Sequence, residues 1–229
     1  MVKPWTAFPI KGVIWYQGEA NVGRSEQYGD LFPALITDWR RQWRSDFPFY
    51  FVQLANFMES KKIQPDSEWA ALREAQTKAL KLDQVGMAVT IDIGLADDIH
   101  PKNKQEVGRR LALVALAGSY GKNVSSSAPV FQNYIIKGNK MELDFGQKQD
   151  GFQIKGTTLK GFTIAGPDRV FYPAEAMVHD GKIILSSTEV PAPLAARYGW
   201  QIIRIVICTE RTGSRLPLSG PTVGRWCKS

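Results

Sequence analysis

Apolar residues along this chain follow two different patterns, and the change falls near residue 127. Before it, short unbroken apolar runs alternate with longer periodic ones. GVIWY (12–16), FYFVQL (49–54) and MAVTID (87–92) read as buried strands. Between them, apolar residues recur every three or four positions. Tyr28, Leu31, Leu35, Trp39 and Trp43 give 25–44 one apolar helical face. Pro33 within it either sets the helix start near residue 32 or kinks it. Ser67 suits the N-cap of a helix over 68–82, with Trp69, Leu72, Ala75 or Gln76, and Ala79 on one side. Asn103 and Glu106 have the spacing of a capping box, with Asn in the Ser/Thr position. The helix they open carries Val107, Leu111 and Val114 as its stripe and ends at Gly118 or Gly121. Strand and helix alternate three times. That predicts parallel strands joined by right-handed crossovers, an α/β sheet with flanking helices.

After SSSAP (125–129) the helical period disappears. YIIKGNKMELDF, GFTIAG and RVFYPAEAMVHDGKIILSS are short β-type runs, with KGNK and HDGK as hairpin turns. The expected organisation is an α/β part over 1–127, a β-rich C-terminal region over 128–200 and an atypical tail over 201–229.

Composition removes several function classes. No run of about 18 apolar residues exists, so no membrane span or membrane partner is expected. The opening MVKPWTAFPIKG is not a signal peptide, because no apolar core precedes a small-residue cleavage site. The net charge of +7 suggests nucleic acid at first sight. Residues 201–229 alone hold five of the basic residues against one Glu, and no basic cluster interleaves with aromatics, so no nucleic-acid partner is expected. Both cysteines, Cys208 and Cys227, lie in that tail, and the chain has only two histidines, His100 and His179. Neither a metal site nor a cofactor is expected from such a set.

In a parallel α/β sheet, ligands bind beyond the carboxyl ends of the strands. Two segments fall there: QGEAN (17–21) after the first strand and LADDIHP (95–101) after the third. Gly18 can bring a backbone N–H to a ligand and Asn21 a side-chain amide, which together make an oxyanion hole. His100 can take a proton from a hydroxyl, with Asp97 or Asp98 orienting the ring. Gln17, Glu19, Arg73 and Gln76 are candidates to contact substrate, and Asn56 to line the pocket. Each piece alone also has an ordinary reading: a turn, a solvated helix cap, a surface polar group. His179 reads as part of a hairpin turn.

Taken together, the segments IKGVIWYQGEAN, YGDLFPALITDWRRQW, FPFYFVQLANF, WAALREAQTKAL, MAVTIDIG and DDIHPKNKQEVGRRLALVALA resemble the SGNH-hydrolase superfamily. Within it they resemble the sialate O-acetylesterases, over roughly residues 8–118, and ARYGW (196–200) fits the same family. The resemblance implies a flavodoxin-like fold, here in part. It also implies a metal-free serine esterase that removes acetyl groups from sugar hydroxyls, with an O-acetylated sialic acid as substrate. By position, Gly18 and Asn21 fall in the oxyanion block and His100 is the base. The superfamily's Asp-x-x-His spacing picks Asp97 as the acid, and the subfamily's Asp-Ile-His-Pro picks Asp98. Family members work in the periplasm or outside the cell.

One family feature is missing from its place. The nucleophilic serine sits in a Gly-x-Ser block ahead of the QGExN block, and no Gly-x-Ser precedes Gln17 here. The chain is therefore expected to be inactive alone, with an opened sheet edge that meets a missing N-terminal half or a second copy. Read one base out of phase, the tail after Trp200 resembles the ordinary end of such an esterase. A single-base deletion there is the expectation, and a lineage-specific tail the alternative. Two further readings of the whole stand beside the esterase. One is a non-catalytic carbohydrate-binding remnant. The other is an acetylxylan-type esterase.

Overall fold

The computed structural model describes residues 2–57, 66–124, 131–146 and 159–199, with the backbone of three further two-residue strand pieces. In the first half, β1 (Val13–Trp15), β2 (Phe49–Val52) and β3 (Val85–Ala88) form a parallel sheet in that order. The helices are α1 (Ser25–Trp43), α2 (Glu68–Thr77) and α3 (Lys104–Tyr120). Strand side chains alternate between faces, and β2 shows what covers each. Phe49 and Phe51 join the core beneath α1 and α2, while Tyr50 and Val52 pack against Val114 and Val107 of α3. The result is three layers with β2 in the middle, every one of its residues buried. Gly86 permits the close approach of α3, since a Cβ there would lie 2.5 Å from Val114 Cγ1.

β1 is an edge. Among the described residues it pairs only with β2, and Ile14, on the face away from α1, is 69% exposed. The third strand begins and ends earlier than the apolar run 87–92 suggests: pairing stops at Ala88, and 89–103 becomes the loop that carries the candidate base.

The helix over 25–43 keeps its predicted span but not its predicted stripe. Tyr28, Phe32 and Ile36 are buried, with Trp39 and Trp43 partly so, whereas Leu31 is 52% exposed. Two overlapping stripes are available in this aromatic-rich segment, and the sheet selects between them. Phe32 stacks on Trp15 and meets Phe51 edge-on, with ring centroids 6.5 and 5.1 Å apart. Nor does Pro33 start the helix. The helix runs from Ser25 through it, and the lost N–H costs about 3 kcal/mol, offset by this ring packing. By contrast α2 buries the expected Trp69, Leu72, Ala75 and Gln76, and α3 the expected Val107 and Val114, ending at Gly121 in the left-handed region.

The second half is antiparallel. β4 (Asn133–Lys137), β5 (Lys140–Asp144), β9 (Glu175–His179) and β10 (Lys182–Ser186) form one sheet in the order β4-β5-β10-β9. β7 (Phe162–Ala165), β8 (Tyr172–Pro173) and β11 (Ala195–Tyr198) belong to another. The short pieces β6 (Gln153–Ile154) and β12 (Cys208–Thr209) pair with each other, and β13 (Val223–Gly224) pairs with β11. The HDGK hairpin forms as expected, with Asp180 and Gly181 both at positive φ as a tight two-residue turn requires. One continuous apolar cluster includes Trp69 and Phe51 from the first half and Leu143, Phe162, Ile183 and Tyr198 from the second.

Candidate active site

The carboxyl edge of the parallel sheet gathers three chain segments. After β1 the chain turns at Gly18, where φ is +151°, a conformation that favours glycine. A Cβ at that position would lie 3.2 Å from Gln76 Nε2. A short 3-10 turn, Glu19–Asn21, follows. Gln17 Nε2 donates to Asn21 Oδ1 at 2.7 Å, which occupies the Asn21 oxygen and leaves its NH2 without a protein partner among the described residues. Tyr28 OH donates to Gln17 Oε1 at 3.2 Å and fixes the Gln17 amide in turn. Gly18 N–H likewise has no acceptor among the described residues. Two donors suited to a developing oxyanion are therefore present in one turn.

The loop after β3 is tied down at both ends. At its start, Asn56 Oδ1 accepts from Gly94 N–H at 2.8 Å, and Asn56 is 2% exposed. At its end, Asn103 Oδ1 caps α3 by accepting from Glu106 N–H at 3.1 Å. Only this half of the capping box forms. The Glu106 carboxylate turns to Arg109 and Arg110, and these partners lower its pKa to about 2. Arg110 also donates to Val89 O and to Asp92 Oδ2, each at 2.8 Å, bolting α3 to the end of β3. Ile99 packs on the main core. His100 stands above it with 85% of its side chain exposed.

Asp98 is the acid beside that ring. Its Oδ1 accepts from His100 N–H at 2.9 Å and lies 3.7 Å from Nδ1. The second distance is longer than a hydrogen bond. Asp97 is exposed and has no partner among the described residues. Both segments lie at the carboxyl edge of the sheet, with β2 between their strands. Tyr16, just before Gln17, packs on the cluster of Val52 at the end of β2, Ile93 at the start of the loop and Val107 of α3. Lys104 Nζ sits 4.9 Å from the Tyr16 ring centroid. Burial, then the nearby Glu19, pushes the Tyr16 phenol up to about 12, so it stays protonated at neutral pH.

Residues 2–117 match the family model described as carbohydrate esterase, sialic acid-specific acetylesterase. The chain belongs to this family. Among curated proteins, the sialate O-acetylesterase of Mus musculus is 38% identical over 150 residues, 57% of this chain and 27% of the relative. That of Homo sapiens is 36% identical over 185 residues, 72% of this chain and 35% of the relative. Among solved structures, a carbohydrate acetylesterase from Xanthomonas citri superposes with a TM-score of 0.86 at 40% identity, covering 94% of this chain and 51% of that one. The acetylesterase-family chain thus spans about a third of the length of the mammalian relatives and about half of the bacterial one.

The remaining candidates of this acetylesterase-family chain fall elsewhere. Arg73 and Gln76 are fully buried and present no surface to a ligand in this conformation. Arg73 Nη2 donates to Gly199 O at 2.7 Å, and its Nε and Nη1 have no partner among the described residues. Burial lowers its pKa to about 9, still cationic at neutral pH. Neither it nor the supporting roles of Gln76 and Asn56 carries a sequence signal beyond polar residues at helical or strand-end spacing. His179 lies on a separate antiparallel sheet. Ser119 bonds to Tyr50 OH at 2.9 Å near the opposite end of β2, and Ser67 caps α2. No serine among the described residues contacts His100. The loop geometry also gives a direct test. A Cβ on Gly94 would lie 1.8 Å from Asn56 O, so the backbone must move to admit it. Gly94→Ala is expected to lower stability by about 3 kcal/mol, read as a drop in urea midpoint; an unchanged midpoint would show that the loop is loosely held.

Proposed function

We propose that this polypeptide supplies the base, acid and oxyanion donors of a serine esterase that removes acetyl groups from sugar hydroxyls. The observation that carries the reading is that the Gln17–Asn21 turn and the His100 loop both leave the carboxyl edge of one parallel sheet, where Tyr16 packs on the cluster of Val52, Ile93 and Val107. Family membership and the names of the relatives support it. A serine hydroxyl attacks the acetyl carbonyl as His100 takes its proton. The oxyanion is held by Gly18 N–H and the Asn21 NH2. His100 returns the proton to the departing sugar oxygen, and water then releases acetate. The orienting acid is one of the pair Asp98, which stands beside the ring, and Asp97, which has the superfamily spacing.

The serine is one other than Ser67 and Ser119, whose hydroxyls are engaged in supporting bonds. O-acetylated sialic acid is the substrate to test first, since the mammalian relatives are named for it, with acetylated xylan as the alternative. The assay measures acetate release from both, by the chain alone and with a Gly-x-Ser-bearing segment supplied in trans. Release that needs the added segment supports the reading. Tight sugar binding without release under either condition favours the carbohydrate-binding alternative. The open side of β1, with Ile14 exposed, is the edge at which such a segment or a second copy adds a strand.

A further inference from the structure

Gln76 sits at the centre of the bonds that shape the oxyanion turn. Its side chain is fully buried and uses both ends of its amide. Oε1 accepts from Leu54 N–H at 2.9 Å, just beyond β2. Nε2 donates to Gln17 O at 3.2 Å, just beyond β1. A single side chain from α2 therefore joins the carboxyl ends of two neighbouring strands where their own ladder has stopped. Its reach continues. Gln17, held at its carbonyl by Gln76, donates through its side chain to Asn21 Oδ1. That bond decides which way the Asn21 amide faces. Gly18 follows Gln17 directly and lies close against the same Gln76 nitrogen, where an added Cβ would sit 3.2 Å from Nε2. Both proposed oxyanion donors are thus one residue or one side-chain hydrogen bond removed from Gln17, whose carbonyl Gln76 holds.

We propose that Gln76 is a positioning residue: its carboxamide sets the Gln17–Asn21 turn so that Gly18 N–H and the Asn21 NH2 face the reacting carbonyl. This rests on the esterase reading for its catalytic meaning, but its structural content is independent of it. The chemistry demands an amide. The residue must accept from one backbone N–H and donate to one backbone carbonyl at the same time. A carboxylate accepts but cannot donate, and a protonated carboxyl does both. Leucine does neither, and leaves a buried N–H and a buried carbonyl without their partner.

The test uses the full chain with Gln76→Glu and Gln76→Leu, followed by NMR of the Leu54 and Gly18 backbone amides and the Asn21 side-chain amide. In Gln76→Leu all three resonances are expected to move, and Leu54 N–H to lose its protection from exchange. In Gln76→Glu they should lie near wild type at acid pH and move as the introduced carboxyl ionises. A residue that merely filled space would show no such pH-dependent rescue. The amide of Asn56, on the other side of β2, serves as the control and should stay in place in both variants. Should Gln76→Leu fail to fold, the Gln76→Glu titration decides alone. Unmoved Gly18 and Asn21 signals across it would overturn the proposal. With the serine segment supplied, kcat for acetate release is expected to fall about a hundredfold in ionised Gln76→Glu, from displacement of the donors by about 1 Å, with KM little changed. A moved turn with unchanged kcat would remove the catalytic role and keep the structural one. Absence of acetate release in wild type would fail the esterase reading and leave the NMR result standing.

Discussion

His100→Ala is expected to reduce acetate release, in the presence of the serine-bearing segment, by about 10^3-fold or more in kcat/KM. That corresponds to about 4 kcal/mol of lost transition-state stabilisation. The stability of the protein should hardly change, because the imidazole is exposed and no packing depends on it. Sugar affinity should also hold, since proton transfer and binding use different groups. An unchanged rate would remove His100 from the chemistry. Wild-type activity lost together with the urea midpoint would point to a structural role instead. The same assay separates the two acids. Asp98→Asn leaves the bond to His100 N–H possible through the amide oxygen but removes the charge near Nδ1, whereas Asp97 makes no contact with the ring. The substitution with the larger loss in kcat identifies the residue that orients the base.

Arg110→Met is expected to destabilise the fold by about 3 kcal/mol, read from urea unfolding. Arg110 is 11% exposed, and its guanidinium joins Val89 O, Asp92 and Glu106. Methionine fills much of the same volume but deprives the nearly buried Asp92 of its bidentate partner. A loss under about 1 kcal/mol would mean that solvent compensates the network. The damage should be local as well. Arg110 fixes α3 to the end of β3, so the His100 loop between them is expected to lose order first. The pH dependence follows from Glu106. Hydrogen bonds from Arg109, then Arg110, lower its carboxyl from an ordinary 4.5 to about 2. A depressed acid stabilises the fold above its unfolded pKa, and this contribution fades as pH falls from 4.5 toward 2. The urea midpoint should therefore decline over that window, and less steeply in Glu106→Gln. Equal slopes would place the acid sensitivity elsewhere.

Much of the site's neighbourhood is legible without coordinates because local rules agree there. Ser67 and Asn103 announce helix starts through short-range side-chain bonds, and both bonds form. QGEAN and DDIHP fall just past strand ends, and the sheet is parallel, so both reach its carboxyl edge. The β-rich region announces itself by alternation and by HDGK, whose turn is set within four residues.

The remainder depends on groups distant in sequence. The helix over 25–43 contains enough apolar residues for two stripes, and periodicity cannot rank them. The rings of Trp15, Phe49 and Phe51 rank them by admitting Phe32 and leaving Leu31 in water. Asp97 and Asp98 are equally acidic neighbours, and which stands beside His100 depends on the backbone path set by Asn56, Ile99 and Asn103. Gln76 reads as one more polar residue on a helix until Gln17 and Leu54 are brought to either end of its amide from 59 and 22 residues away. Sequence by itself determined the kinds of elements, their order and the two segments that reach the carboxyl edge of the sheet, because propensity, capping and alternation act over a few residues. Tertiary structure alone decided which face is buried, which acid stands beside His100 and which amide braces the Gln17–Asn21 turn, because those choices are made by contacts between segments that no local pattern encodes.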